Sequence, residues 1–158
     1  MRKDHIIKEL KAYFDIRELV GKSTYKKYGE RAWIFLDYRL LWFLLIIRVE
    51  LNSSITVNNW HIGGKFSQRG LRTNVQQIFK YFFKIRRLYL SGHVMGKAVD
   101  FDVKGLEADE VRMWMAQNKD LFPFKIRVEE SKDGEPITWN HVDVFTDPEL
   151  PNIYFFET

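Results

Sequence analysis

Ser91-Gly92-His93-Val94-Met95-Gly96-Lys97-Ala98-Val99-Asp100-Phe101-Asp102-Val103 reads as a turn that runs into a strand. From Ala98 onward apolar and polar residues alternate with period two, the pattern of a half-buried strand. Val99, Phe101 and Val103 are expected to face a core. Ala98, Asp100 and Asp102 then face a cleft or solvent. His93 falls in the loop entering this strand, where Gly96 permits a tight turn. Such a turn can bring an imidazole beside the Asp100 carboxylate.

A second alternating run, Ile137-Thr138-Trp139-Asn140-His141-Val142-Asp143-Val144, lies near the C-terminal end. Val142 and Val144 share one face, and Trp139, His141 and Asp143 share the other. Two strands with ligand-type residues on their polar faces are what a metal site on an antiparallel sheet looks like in sequence. Imidazole nitrogen and carboxylate oxygen both suit zinc, at about 2.0–2.2 Å. The chain has 4 histidines and no cysteine, so any metal must use His, Asp, Glu or water. Of the others, His5 reads as solvated near a terminus and His61 as a structural residue in a glycine-rich loop.

The two motifs together, Ser91, His93, Gly96, Ala98 and Asp100 followed by Trp139, His141 and Asp143, resemble the zinc D-Ala-D-Ala carboxypeptidases and phage peptidoglycan endopeptidases. These share the fold of the hedgehog signalling domain. The resemblance extends to Leu36–Leu41, Ser67–Arg72 and Ile126–Glu129, roughly three-quarters of the chain. Within the family it looks like the branch carried by phages and prophages of Bacteroides-like bacteria. The first motif is fairly specific, the second weak alone, and the two in this order are strong.

The resemblance implies zinc held by His93, Asp100 and His141, and hydrolysis of an amide in the peptide stem of peptidoglycan. Residues alone imply only a metal-assisted hydrolase. An arginine in the Ser67–Arg72 region would bind a substrate carboxylate, since a guanidinium can form two parallel bonds to it. Arg72 is the first choice and Arg69 the second, with Ser91 on the same substrate side. One departure concerns the general base. Many relatives carry Glu or Asp three positions before the second histidine, and here Thr138 stands there. Glu129, on the strand before the Asp133-Gly134 turn, is the first substitute. Asp143, which shares the face of His141, is the second, and Glu135 the third. Asp143 could instead orient a ligand histidine.

Two other classes fit the same residues less well. A hedgehog-like protein would keep zinc and bind a partner without cleaving it. A basic nucleic-acid or virion module would use the net charge of +4 and pI near 9.2. No fingerprint of the common nucleic-acid folds is present, and no nucleic-acid partner is expected. The charge is better read as a solvated surface.

The 158 residues suit a single domain. Residues 1–30 read as an N-terminal helical brace, 31–147 as the catalytic core and 148–158 as a tail packed back on the body. No apolar segment resembling a secretory signal opens the chain. Leu40–Ile47 is too short to span a bilayer. The expected location is the cytoplasm until release to the cell wall, or a phage particle.

Taken in order, Asp4–Leu19 is expected to be helical, and Val20–Glu30 a loop. Asp37 should cap a largely buried helix to about Leu51. Ile55–Trp60 starts as a short strand, and residues 61–70 form a glycine-rich loop. Thr73–Lys84 reads as a helix, with Val75, Ile78, Phe79 and Phe82 on one side. Another helix runs from Leu106 to Lys119. Ser131–Pro136 carries the Asp-Gly hairpin signal between two strands. This mixture predicts an α+β fold: a small antiparallel sheet with helices packed on one side.

Overall fold

A computed structural model describes residues 1–72, 75–80, 83–88, 91–145 and 147–158, with 75–80 and 83–88 as backbone only. The fold is α+β. Among the described residues five α-helices, α1 (Lys3–Leu10), α2 (Ile16–Leu19), α3 (Lys22–Tyr28), α4 (Tyr38–Glu50) and α5 (Ala108–Gln117), accompany two sheets. The larger sheet has the order β1 (Ile55–Thr56), β4 (Ala98–Val103), β6 (Glu135–Asp143), β5 (Ile126–Lys132) and β7 (Ile153–Glu157). The smaller is a hairpin of β2 (Val75–Lys80) and β3 (Phe83–Leu88).

The core lies on the apolar face of the larger sheet. Val99, Phe101, Val128 and Val142 join Leu40, Phe43, Leu44 and Ile47 of α4 and Val111 and Met115 of α5 in one buried cluster. Phe43 is the hinge of that contact, with its ring 5.7 Å from Phe101 and 5.8 Å from Phe122. Each such side chain contributes about 1.5–3 kcal/mol by leaving water. Asp37 caps α4 by accepting from the Arg39 amide, as its position before the apolar run predicts. Among the described residues no helix is long and apolar enough to cross a membrane.

Several expectations are corrected. The sheet is mixed rather than antiparallel, because β7 runs parallel to β5. The tail does return to the body, but as this added edge strand. Asp4–Leu19 is two helices, since Asp15 leaves the helical conformation and caps α2 through a capping box with Glu18. Val20–Glu30 contains α3: Gly21 and Gly29 are its caps, not loop residues, and Gly29 takes a φ of 54°. A 3-10 helix at Gly29–Phe35 follows. Only Ile55–Thr56 of the next predicted strand pairs, and Trp60–Ile62 turns as a 3-10 helix.

Thr73–Lys84 is not a helix over its described part. Val75–Lys80 pairs with Phe83–Leu88 as antiparallel strands. Thr73, Asn74, Tyr81 and Phe82 of that expectation lie outside the described residues. The Ser131–Pro136 turn is tighter than expected. Strands continue to Lys132 and from Glu135, leaving Asp133 (φ 53°) and Gly134 (φ 81°) as the two-residue loop. Two consecutive positive φ angles match the twist of the flanking strands.

Candidate metal centre

Strand register builds the site. Asp100 of β4 is the cross-strand partner of His141 of β6, and His141 is the partner of Glu129 of β5. Glu129 in turn lies beside Phe156 of β7. These residues form one row across four strands. Alternation puts the row on the face opposite Val99, Phe101, Val128 and Val142, which fill the core. The next row contains Ala98, Asp143, Arg127 and Tyr154.

His93 reaches the row from the turn before β4. The turn is closed by Gly96 N–H donating to the His93 carbonyl and Lys97 N–H to that of Gly92. Gly96 has a φ of 67°, and a Cβ there would lie 2.1 Å from the Phe35 carbonyl oxygen. The loop before β2 holds the imidazole from the other side. Asp100 N–H donates to the Arg69 carbonyl at 2.8 Å, and His93 Nδ1 lies 3.2 Å from the Gly70 carbonyl oxygen. A carbonyl only accepts, so Nδ1 is the donor of that bond, which leaves Nε2 as the nitrogen facing the site. That nitrogen points at Asp100, with Oδ1 3.4 Å away.

His141 approaches the same oxygen through Nδ1, at 2.6 Å. One ligand atom each from His93, Asp100 and His141 all lie within 4.8 Å of one another, and the group could hold a metal ion. This donor set fits a divalent metal that accepts imidazole and carboxylate. His93 is buried, and the other two are nearly so. Burial raises the Asp100 pKa, but hydrogen bonds to His141 and His93 outweigh it and hold the carboxyl well below its usual range. Burial lowers the His141 pKa, but the hydrogen bond to Asp100 and the charges of Asp100, Glu129 and Asp143 raise it above 6.5. The 2.6 Å contact between His141 Nδ1 and Asp100 is thus a hydrogen bond to an ionised carboxylate.

The three residues stand in a cleft of about 500 Å³, also lined by Arg72, Ser91, Arg127, Glu129, Trp139 and Phe156. The two carboxylates proposed as bases differ in their partners. Asp143 accepts from Arg127 at both oxygens, at 2.9 and 2.7 Å, and from the Phe145 amide. Its nearest approach to His141 is 3.9 Å. Glu129 is buried, and its Oε1 accepts from the Thr158 hydroxyl. Thr158 is itself fixed by backbone bonds to Ser131 and Asp133 at the end of the hairpin. Glu135 opens β6 beside Lys132, six residues from His141, and is exposed.

The two candidate arginines also separate. Arg72 lines the cleft, and its buried Nε has no hydrogen-bond partner among the described residues. Arg69 is paired with Asp102 and stacked over Phe66, 3.7 Å from the ring centroid, and does not line the cleft. Ser91 lines it and accepts from the Val94 amide at 3.4 Å.

Sequence reasoning passed over Arg127, Gly70, Phe156 and Thr158. Arg127 was legible, because it alternates with Val128 and so shares the face of Glu129. The aromatic, strand-prone run Tyr154-Phe155-Phe156 was a signal for an edge strand. Nothing local marked Gly70 as the group that orients His93. Compared with protein-family models, with curated proteins and with solved structures, the chain matches none.

Proposed function

We propose that this protein is a zinc-dependent peptidase that hydrolyses an amide in the peptide stem of peptidoglycan, in the manner of the D-Ala-D-Ala carboxypeptidases and phage endopeptidases it resembles. The observation that carries the reading is the convergence of His93, Asp100 and His141 in an open cleft, with the Glu129 carboxylate in the same row. Two imidazole nitrogens and one carboxylate oxygen are a donor set typical of catalytic zinc. Zinc held there supplies a Lewis acid for the scissile carbonyl and makes water more acidic.

The chain's own groups do the rest. Glu129 receives the water proton and returns it to the leaving amine. Its Oε1 is engaged by Thr158, so Oε2 is the oxygen left for that task. Both oxygens of Asp143 are engaged by Arg127, so Glu129 is the first choice for the base. Arg72 binds a carboxylate of the acidic stem. A lost charge-assisted bond costs roughly 1.5–3 kcal/mol, so Arg72→Ala should slow turnover about tenfold or more without changing metal content. Release from the cytoplasm to the wall, or delivery on a phage particle, belongs to the same reading.

Thr138 at the usual position of the base favours one rival: a zinc-containing hedgehog-like protein that binds without cleaving. Mass spectrometry of muropeptides incubated with the zinc-loaded protein separates them. New amine and carboxyl ends, lost with a chelator and restored by zinc, support the peptidase. Intact muropeptides support the binding protein.

A further inference from the structure

A second cleft, of about 460 Å³, adjoins the metal cleft, and Arg72 lines both. Its far wall comes from α3 and the 3-10 helix, through Lys27, Tyr28 and Phe35, and its near wall from Val94 and Met95 of the turn that carries His93. Tyr28 and Phe35 meet edge to face at 4.7 Å, and the Lys27 ammonium lies 5.1 Å from the Tyr28 ring. Large apolar side chains are rarely left in the open together without use. Here Tyr28, Phe35 and Met95 are 37%, 40% and 45% exposed and converge on one cleft.

The lining contains two cations and no carboxylate among the described residues. The α3 wall is fixed relative to Arg72, because Gly21 N–H donates to the Leu71 carbonyl at 2.7 Å and Leu71 N–H to that of Leu19. Such a lining suits an occupant that is anionic and partly apolar, and the shared Arg72 lets one ligand touch both clefts.

We propose that this second cleft is a subsite for the part of an acidic peptide that extends beyond the bond at the metal site. Lys27 and Arg72 attract its carboxylates, while Tyr28, Phe35 and Met95 cover its apolar side chains. The N-terminal segment is then a specificity element as well as a brace. The proposal rests on the peptidase reading for the identity of the peptide.

The test measures binding to zinc-loaded Glu129→Gln protein, in which turnover is suppressed. The probes are a synthetic acidic stem pentapeptide and its D-Ala-D-Ala dipeptide. The pentapeptide should bind at least tenfold more tightly than the dipeptide. The combined substitution Lys27→Glu, Tyr28→Ala and Met95→Ala should remove that difference while zinc content and circular dichroism stay unchanged. Equal binding of the two lengths, or a length preference that survives the triple substitution, overturns the subsite. So does capture of a protein partner on this face with no peptide affinity. A parallel muropeptide digest with unsubstituted protein keeps the two ideas apart. Length preference without cleavage sinks the peptidase alone, and cleavage without length preference sinks the subsite alone.

Discussion

Glu129 and His141 are cross-strand partners on β5 and β6, on the face that also carries Asp100. A carboxylate is thus held next to a candidate metal-ligand histidine by backbone pairing rather than by a loop. In the proposed peptidase this placement would supply the base that Thr138 cannot. Glu129→Gln preserves shape and removes basicity. It should lower the chemical rate by roughly 10²–10⁴ with zinc still bound. Near-normal turnover in that variant, together with a dead, zinc-replete Asp143→Asn protein, would transfer the role to Asp143.

Gly70 is a backbone support for His93. A Cβ at Gly70 would stand 2.0 Å from the Leu19 carbonyl oxygen, so Gly70→Ala must shift the loop whose carbonyl accepts from His93 Nδ1. Loss of a group that orients a ligand histidine typically costs about 10–100-fold in metal affinity. Competition against a chelator should show a loss in that range. Unchanged affinity would mean that the imidazole is oriented by other contacts.

A metal bound by this triad would compete with the proton that His141 and Asp100 share. The folded pKa of His141 is raised above 6.5, so its contribution to stability is complete below 6.5 and is lost as pH rises through the folded value. That of Asp100 is depressed below 3.8, so its contribution is complete above 3.8 and is lost as pH falls through the folded value. In the zinc-free protein the pair is therefore most stabilising between 3.8 and 6.5. Zinc must displace the His141 proton. Apparent affinity should rise with pH until the folded His141 value is passed, with about one proton released per zinc in that range. Calorimetry in buffers of different ionisation enthalpy measures that release, and an affinity flat from pH 6 to 8 would contradict it.

Much of the candidate metal centre was legible because its signals are local. Alternation placed Asp100 and His141 on polar strand faces, and the turn glycine placed His93. The α4 cap and the Asp133-Gly134 turn were legible for the same reason. Elements failed where two periodicities coincide or the partner is distant. Val75, Ile78, Phe79 and Phe82 are spaced like a helix face, yet the β-branched and aromatic character of Val75, Ile78 and Phe79 suits the paired strand that Val75–Lys80 forms. Gly21 and Gly29 suggested a loop because caps and loops use the same residue. The parallel docking of Ile153–Glu157 on β5 depends on an edge supplied by the rest of the fold, which no local pattern records.

The metal triad itself is tested most directly by metal analysis of the purified protein and two variants. The unsubstituted protein should bind one zinc per chain through His93, Asp100 and His141. His93→Ala and His141→Ala should each lose stoichiometric zinc while keeping the far-ultraviolet circular dichroism of the folded chain. Full zinc occupancy retained in both variants would contradict the site.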